Sequence, residues 1–398
     1  SPCLAFTYML KGIDFPTVLC VMFYTFIASL GLSVIGLVVA TATAEKHWQI
    51  VLSVFLLFGL ALAFYAGLAI VIGGLSRTSL PFQDSEFWAA NAAMLTGFGA
   101  YFVLFFCVAS AQLTFASNNR STALRVVMLA QQALFTGWMG WTFHHADGDL
   151  EILFPYLILS GLHWTIMGMF MNGESPELSH RVKRQLPQSF LGRAFLTWFN
   201  PGPAAGFVFA VINMATVLLL AGAALIANAA FYPGRLPGWL GMNPREMIVI
   251  FAIVEFSYVV VYLGLGRLLA AGLRKVHQGG MLLCALCQVL LVLLGCGAPL
   301  TVHLMIADLR MDYSLLEITN PFWSLIEIVE HRSLSPEMVV LLVVLPVTAG
   351  CVLLANLPSV VAAVRQVRIA KPVRVAEEDE FFELQRHPPQ PIIDPLAD

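Results

Sequence analysis

The chain has 398 residues, of which 59% are hydrophobic and only 11% charged, with a formal net charge of −3. Soluble domains carry roughly 25% charged residues, so this composition excludes an ordinary soluble fold and points to an integral membrane protein. A pI near 6.3 leaves no basic excess to bind nucleic acid, and no nucleic-acid partner is expected.

The start, SPCLAFTYMLKG, reads as the tail of an apolar helix entered part-way along, and no basic region precedes it to mark a cleavable signal peptide. Runs of roughly 20 apolar residues, enough to cross a hydrocarbon core, then recur about nine times. They cover Pro16 to Ala42, Ile50 to Ile72, Ala89 to Phe115, Ser121 to Phe143, Leu150 to Met171, Phe207 to Phe231, Met247 to Leu273, Gly280 to Met305 and Met338 to Val364. None shows the two-residue alternation of a membrane β-barrel, so the expected fold class is all-α, a polytopic helical bundle.

If every run crosses, one side collects Arg120 and Arg125; Arg181, Lys183, Arg184 and Arg193; Arg267, Arg274 and Lys275; and Arg365, Arg368, Lys371 and Arg374. The positive-inside rule makes that side cytoplasmic, and the last span then leaves the C-terminus in the cytoplasm. The other side receives the acid-rich HHADGDLE and a loop over 306–337 holding Asp308, Asp312, Glu317, Glu327 and Glu330, with Arg77, Arg235 and Arg245 as outlying bases.

The longest cytoplasmic connection, 172–206, carries HRVKRQLPQSFLGRAFLTWFNPGP, in which arginines and lysine alternate with Phe190, Phe195, Trp198 and Phe199. Such a segment reads as an amphipathic helix on the membrane surface or as a docking surface for a cytoplasmic partner, ended by the Asn200 to Pro203 break. The tail, 366–398, passes from a basic collar to an acidic and then proline-rich stretch and is expected to be largely disordered.

Chemistry-bearing residues are few. Glu255 lies inside a span, where a carboxylate is costly enough to mark a polar pathway. The bland account is a hydrogen bond to Tyr258 or Tyr262 on the same helix face. His144, His145, Asp147 and Asp149 have the residue types of a zinc site, though adjacent loop histidines are commonly solvated. His163 and His303 show no pairing suited to haem, and Gln112, Gln131, Gln132, Asn213, Asn228 and Gln288 suit interhelical hydrogen bonds. Seven cysteines, including a Cys284–Cys287 CxxC within a span, behave as small hydrophobes rather than as a disulfide framework. No GxxxxGK[ST] occurs, so ATP is not bound through a P-loop, and no cofactor or enzymatic activity is expected of the chain itself.

Tyr8 to Ile13, Gly31 to Ala42 and Thr43 to Gln49 form a turn, a small-residue helix end and a polar joint. In that order they resemble the middle of a bacterial ABC type-2 transporter permease. The resemblance covers 1–115, which would be the C-terminal half of a six-helix permease unit, with about three helices upstream and about twelve spans in the full-length protein. Residues 116–171 and 207–365 would add further transmembrane helices, and Ser121 to Val364 resembles the C-terminal extension of ABC permease-like bacterial membrane proteins, with SPELSHRVKRQLPQSFLGRAFLTWFNPGP as its most distinctive string. The resemblance implies an exporter subunit of the bacterial inner membrane, driven by a separate ABC ATPase subunit and paired with a second permease unit. Glu45, Lys46, Arg181, Lys183, Arg184 and Arg193 on the cytoplasmic joints are the expected docking residues. The alternative is a polytopic scaffold or assembly protein that couples to no nucleotide.

Overall fold

The computed structural model describes residues 14–42, 80–115, 117–184, 189–232, 243–276, 281–306, 313–330, 335–368 and 373–386, with isolated positions 12, 46, 49–51, 53, 54, 57, 59, 61, 186 and 187. Long helices dominate: α1 (Phe15–Ala42), α2 (Ser85–Leu113), α3 (Ser121–His145), α4 (Leu153–Asn172), α7 (Pro203–Phe231), α8 (Pro244–Leu273), α9 (Met281–Ile306) and α11 (Pro336–Arg368). Short helices α5 (His180–Arg184), α6 (Phe190–Leu196) and α10 (Pro321–Glu330) lie between them, and α12 (Val373–Arg386) follows. No strand occurs among the described residues, so the chain is an all-α bundle.

Seven of these helices are long and apolar enough to cross a membrane: α1, α2, α4 with its preceding 3-10 turn, α7, α8, α9 and α11. Their outward faces carry large apolar side chains such as Leu219, Ile226 and Leu354, each more than two-thirds exposed. In water such a surface would be an aggregation liability, whereas lipid is its natural solvent. Helix α3 matches the expected span Ser121 to Phe143 in extent but falls outside the seven, because Gln131, Gln132 and its two terminal histidines dilute its hydropathy. The expected span Ile50 to Ile72 lies largely outside the described residues.

Helix α8 is the hub. It packs on α4, α7, α9, α10 and α11, and 72% of its most apolar window is buried, against 6% for α1 and 11% for α2. The core gathers Leu157, Trp164, Met214, Phe251, Val260, Leu263 and Leu341, all essentially inaccessible. Helix α8 carries bare glycine at Gly264, where a Cβ would run into Val352 of α11, so the two backbones pack closely through this absence. Helices α1 and α2 attach at the flank as a pair, joined by the Tyr24 hydroxyl donating to Asn91.

The bundle has two chemically different ends. At one, Arg245 donates to Asn228 Oδ1 at 2.8 Å and Asn228 donates to the Gly148 carbonyl at 2.8 Å. At the other lie Arg125, Arg267 and Arg274 with the segment 172–203. Arg125 and Arg267 lie inside the bundle, 1% and 3% exposed, and are held by partners distant in sequence. Within the tail expected to be largely disordered, residues 373–386 form α12. Its Ala, Glu, Leu, Gln and Arg are strong helix formers even though their charge resembles that of a disordered chain.

Candidate functional site

Within the stretch expected to be an external loop, 306–337, the described residues 313–330 fold against the middle of the bundle. Residues 315–319 form a 3-10 turn, Asn320 breaks it with φ −92° and ψ 98°, and α10 starts at Pro321. Proline suits that first position because its missing N–H would have had no helical partner, and the Asn320 Oδ1 accepts from the Trp323 amide at 3.3 Å. The broken segment reaches the middle of α8. The Tyr258 hydroxyl donates to the Ile318 carbonyl at 2.7 Å and lies 2.8 Å from Ser324 Oγ, and the Tyr262 hydroxyl donates to the Thr319 carbonyl. Tyr258 stands about 21 Å along a helix of about 45 Å at 1.5 Å per residue.

Non-helical backbone is tolerated at such depth only where protein satisfies it or a cavity borders it. Both conditions hold here. Thr319 donates to the Gly295 carbonyl of α9 at 2.8 Å. Glu317 and Glu327, expected as solvated acids of a loop, are 0% and 6% exposed, and Glu317 takes a hydrogen bond from Asn320 at 3.2 Å with His303 at 4.0 Å. Their burial depends on the segment turning inward, which residue composition does not reveal.

Glu255 sits one turn before Tyr258 on the same helix and is 5% exposed. Its Oε2 is buried without a hydrogen-bond partner. The pairing expected from spacing does not form, because the hydroxyls of Tyr258 and Tyr262 are both spent on the broken segment. The carboxylate instead lies against Gly161 of α4, where any Cβ would collide with its Oε1, and borders a cavity of about 130 Å³. Ile158, Leu162, Val259, Phe322 and Leu325 make the cavity apolar, with Thr165 as a second polar group. Tyr258 and Tyr262 form a wall shared with a larger apolar groove of about 580 Å³ between α8, α9 and α11. Further buried polar atoms without partners lie on α3 and α4, at Gln131, Ser160 and His163 Nε2.

At the basic end, one carboxylate organises the connection 172–206. Glu174 accepts from Arg125 Nη2 at 2.6 Å, from the Ser121 hydroxyl at 2.7 Å and from the Gly202 amide at 2.6 Å. Arg125 Nη1 donates to the Trp198 and Asn200 carbonyls, both at 2.5 Å, and Thr122 donates to the Phe199 carbonyl at 3.0 Å. The segment is therefore tied to α3, α4 and α7 rather than merely resting on lipid. It forms two short helices, α5 and α6, not one amphipathic helix. Pro187 falls between them, and the Ser189 hydroxyl caps α6 by accepting from the Gly192 amide at 3.1 Å. Gly202, at φ +142°, turns the chain into α7. Arg181 and Lys183 on α5 are exposed, and Arg193 on α6 is half-buried. Arg184 lies on α5 with its side chain outside the described residues, as is Glu45, while Lys46 is exposed.

His144, His145, Asp147 and Asp149 remain on the opposite end. His144 Nδ1 lies 3.2 Å from the Tyr232 hydroxyl, His145 stacks on Trp141, and Asp149 caps the 3-10 turn before α4. No group of three or more potential metal ligands gathers among the described residues. His163 Nδ1 lies 3.1 Å from the Tyr101 hydroxyl, and Cys284 lies 3.8 Å from Arg274.

No family model matches the chain, and no curated protein or solved structure is significantly similar to it. Of the pieces that resemble ABC permeases, Gly31 to Ala42 lies on α1, while Tyr8 to Ile13 and Thr43 to Gln49 fall almost entirely outside the described residues.

Proposed function

We propose that the chain is a membrane-spanning transport subunit, the permease of an ATP-driven exporter whose ATPase is a separate protein. In this reading α3 and the stretch 50–72 complete nine spans in a bacterial inner membrane, with the basic end and the C-terminus in the cytoplasm and two permease units working together. The observation that carries it is Glu255: a buried carboxylate without a partner, at mid-depth, beside a cavity walled by a broken helical segment. Intramembrane carboxylates are expensive, and discontinuous helices near the midplane are where transporters build their sites. The apolar walls and single acid suit an apolar molecule bearing a basic nitrogen.

The basic end supplies a route for the push. Glu174 joins the connection 172–206 to three helices, and Arg274 donates to the carbonyls of Asn172 and Glu174 at 2.8 and 2.9 Å. A partner bearing on exposed Arg181 and Lys183 would therefore act on α3, α4, α7 and α8 as a unit.

The test is purification of the full chain from detergent-solubilised membranes, with identification of co-purifying proteins and an ATPase assay. A P-loop ATPase should co-purify, and its binding should be lost when Arg181, Lys183 and Arg184 are all changed to Ala. Glu255→Gln should keep the complex but abolish stimulation of its ATPase by hydrophobic amines. A chain that never brings down an ATPase would overturn this reading in favour of a scaffold without nucleotide coupling.

A further inference from the structure

We infer that the basic end carries a binding site for a phosphate-class oxyanion, in a cavity of about 280 Å³ between the start of α7 and the last turns of α8 and α11. The site is independent of Glu255 and of any ATPase.

Two guanidinium groups line the cavity, and among the described residues neither has an acidic partner. Arg267, 3% exposed, directs Nε at Asn356 Oδ1 and donates from Nη2 to Ser359 Oγ at 2.9 Å, while its Nη1 makes no hydrogen bond. Arg274 uses Nη2 alone, on the Asn172 and Glu174 carbonyls and near Cys284 Sγ, leaving Nε and Nη1 unused. All of these partners are neutral. The contrast with Arg125 at the same end is direct: that guanidinium has the Glu174 carboxylate at 2.6 Å. Arg274 is half-buried, whereas Arg267 is a buried cation with no counter-ion among the described residues, which is costly, and an anion from outside the chain would complete it.

The third contribution is backbone. Gly202 precedes α7, a helix of 29 residues, and no side chain caps its first turn. Ala204 and Ala205 of that turn face the same cavity. An uncapped N-terminus presents amide donors and about half a positive charge to an anion. The last turns of α8 and α11 also border the cavity and oppose this with about half a negative charge each. The Glu174 carboxylate at the Gly202 amide is matched by Arg125, so the guanidinium charges of Arg267 and Arg274 together with α7 are set against those two helix ends and outweigh them. Guanidinium is also the side chain whose planar fork matches phosphate oxygens.

The ligand chemistry has two sources, the phosphodiester of a lipid headgroup or soluble phosphate, and the experiment separates them. The full chain is purified in a neutral sugar-headgroup detergent without phosphate. Inorganic phosphate or phosphatidylglycerol is then titrated in while thermal unfolding and bound mass are followed. Saturable binding that raises the unfolding temperature is expected. Saturation by inorganic phosphate, with no further effect of the lipid, identifies a soluble anion; response to the lipid alone identifies a headgroup site.

Arg274→Gln should weaken binding at least tenfold. Gln366 lines the same cavity, so Gln366→Glu places a carboxylate there without changing side-chain size. That variant should also weaken binding at least tenfold, yet unfold no lower than the parent chain without ligand, because it supplies the counter-ion itself. Absence of saturable binding of either probe to the parent chain, or undiminished binding by Gln366→Glu, would overturn the assignment.

Discussion

Glu174 and Glu255 are both acids packed into the same helical bundle, and they are treated in opposite ways. Glu174 accepts three hydrogen bonds, from a guanidinium, a hydroxyl and a backbone amide, and ties residues far apart in the chain. Glu255 has hydroxyl-bearing neighbours on its own helix, yet they serve the broken segment and leave its Oε2 without a partner. The first arrangement holds a structure together, whereas the second spends stability to keep a polar group available. Acids packed into one bundle therefore differ in role according to whether the surrounding donors are aimed at them.

The largest way to break the contrast is at Glu174. Glu174→Ala leaves Arg125 buried without its counter-ion, and removing one partner of a buried pair typically costs about 3–5 kcal/mol. The loss should appear as a lowered unfolding midpoint in detergent and as new proteolytic cleavage within 172–203. An unchanged midpoint would mean that the knot at the basic end does not hold the segment.

At Glu255 the sign changes with the neighbour altered. Gly161→Ala drives a methyl group into the carboxylate, and overpacking of this kind costs about 1–3 kcal/mol. Combining it with Glu255→Ala should recover most of that loss, and a double-mutant cycle on the unfolding free energy measures the coupling. Simple addition of the two single effects would place the carboxylate away from Gly161. Glu255→Leu alone should be neutral or stabilising by about 1 kcal/mol, since it removes an unsatisfied buried oxygen while filling similar volume. Strong destabilisation by that change would reveal a structural acid and remove the main support for a transport site.

This contrast marks the boundary of what the sequence discloses. Helix extents are written locally: the run Pro16 to Ala42 is α1 (Phe15–Ala42), and Met247 to Leu273 lies within α8. Glu255 is conspicuous for the same reason, as an acid amid continuous apolar residues. Its isolation is not, because it depends on Ile318 and Thr319 claiming two tyrosines roughly sixty residues earlier in the chain. Arg125 and Arg267 mislead in the same way. A charge near the end of an apolar run looks solvated until Glu174 or Asn356 closes on it from 49 or 89 residues away. The inward fold of 313–330 leaves one faint trace in sequence, the Asn320–Pro321 break before an amphipathic stretch, which by itself fits a surface loop equally well.

The smallest expected effect on stability is also the most selective. Arg181 and Lys183 are exposed on α5, whereas Val182 between them is buried against Leu178 and Val367. The helix is held by its apolar residue and by the Glu174 knot beneath it, so its cations add little to folding. Arg181→Ala with Lys183→Ala should shift the unfolding free energy by less than about 0.5 kcal/mol, as is usual for exposed charges away from caps and ion pairs. Val182→Asp should instead loosen α5 from the end of α11. If both variants lose an ATPase partner to the same extent, the attachment of α5 is what matters; if the double alanine variant loses it while remaining fully folded, the two cations themselves make the contact. The same residues thus separate a segment that transmits force from one that only closes the end of the bundle, because only the first has a use for charges that folding does not need.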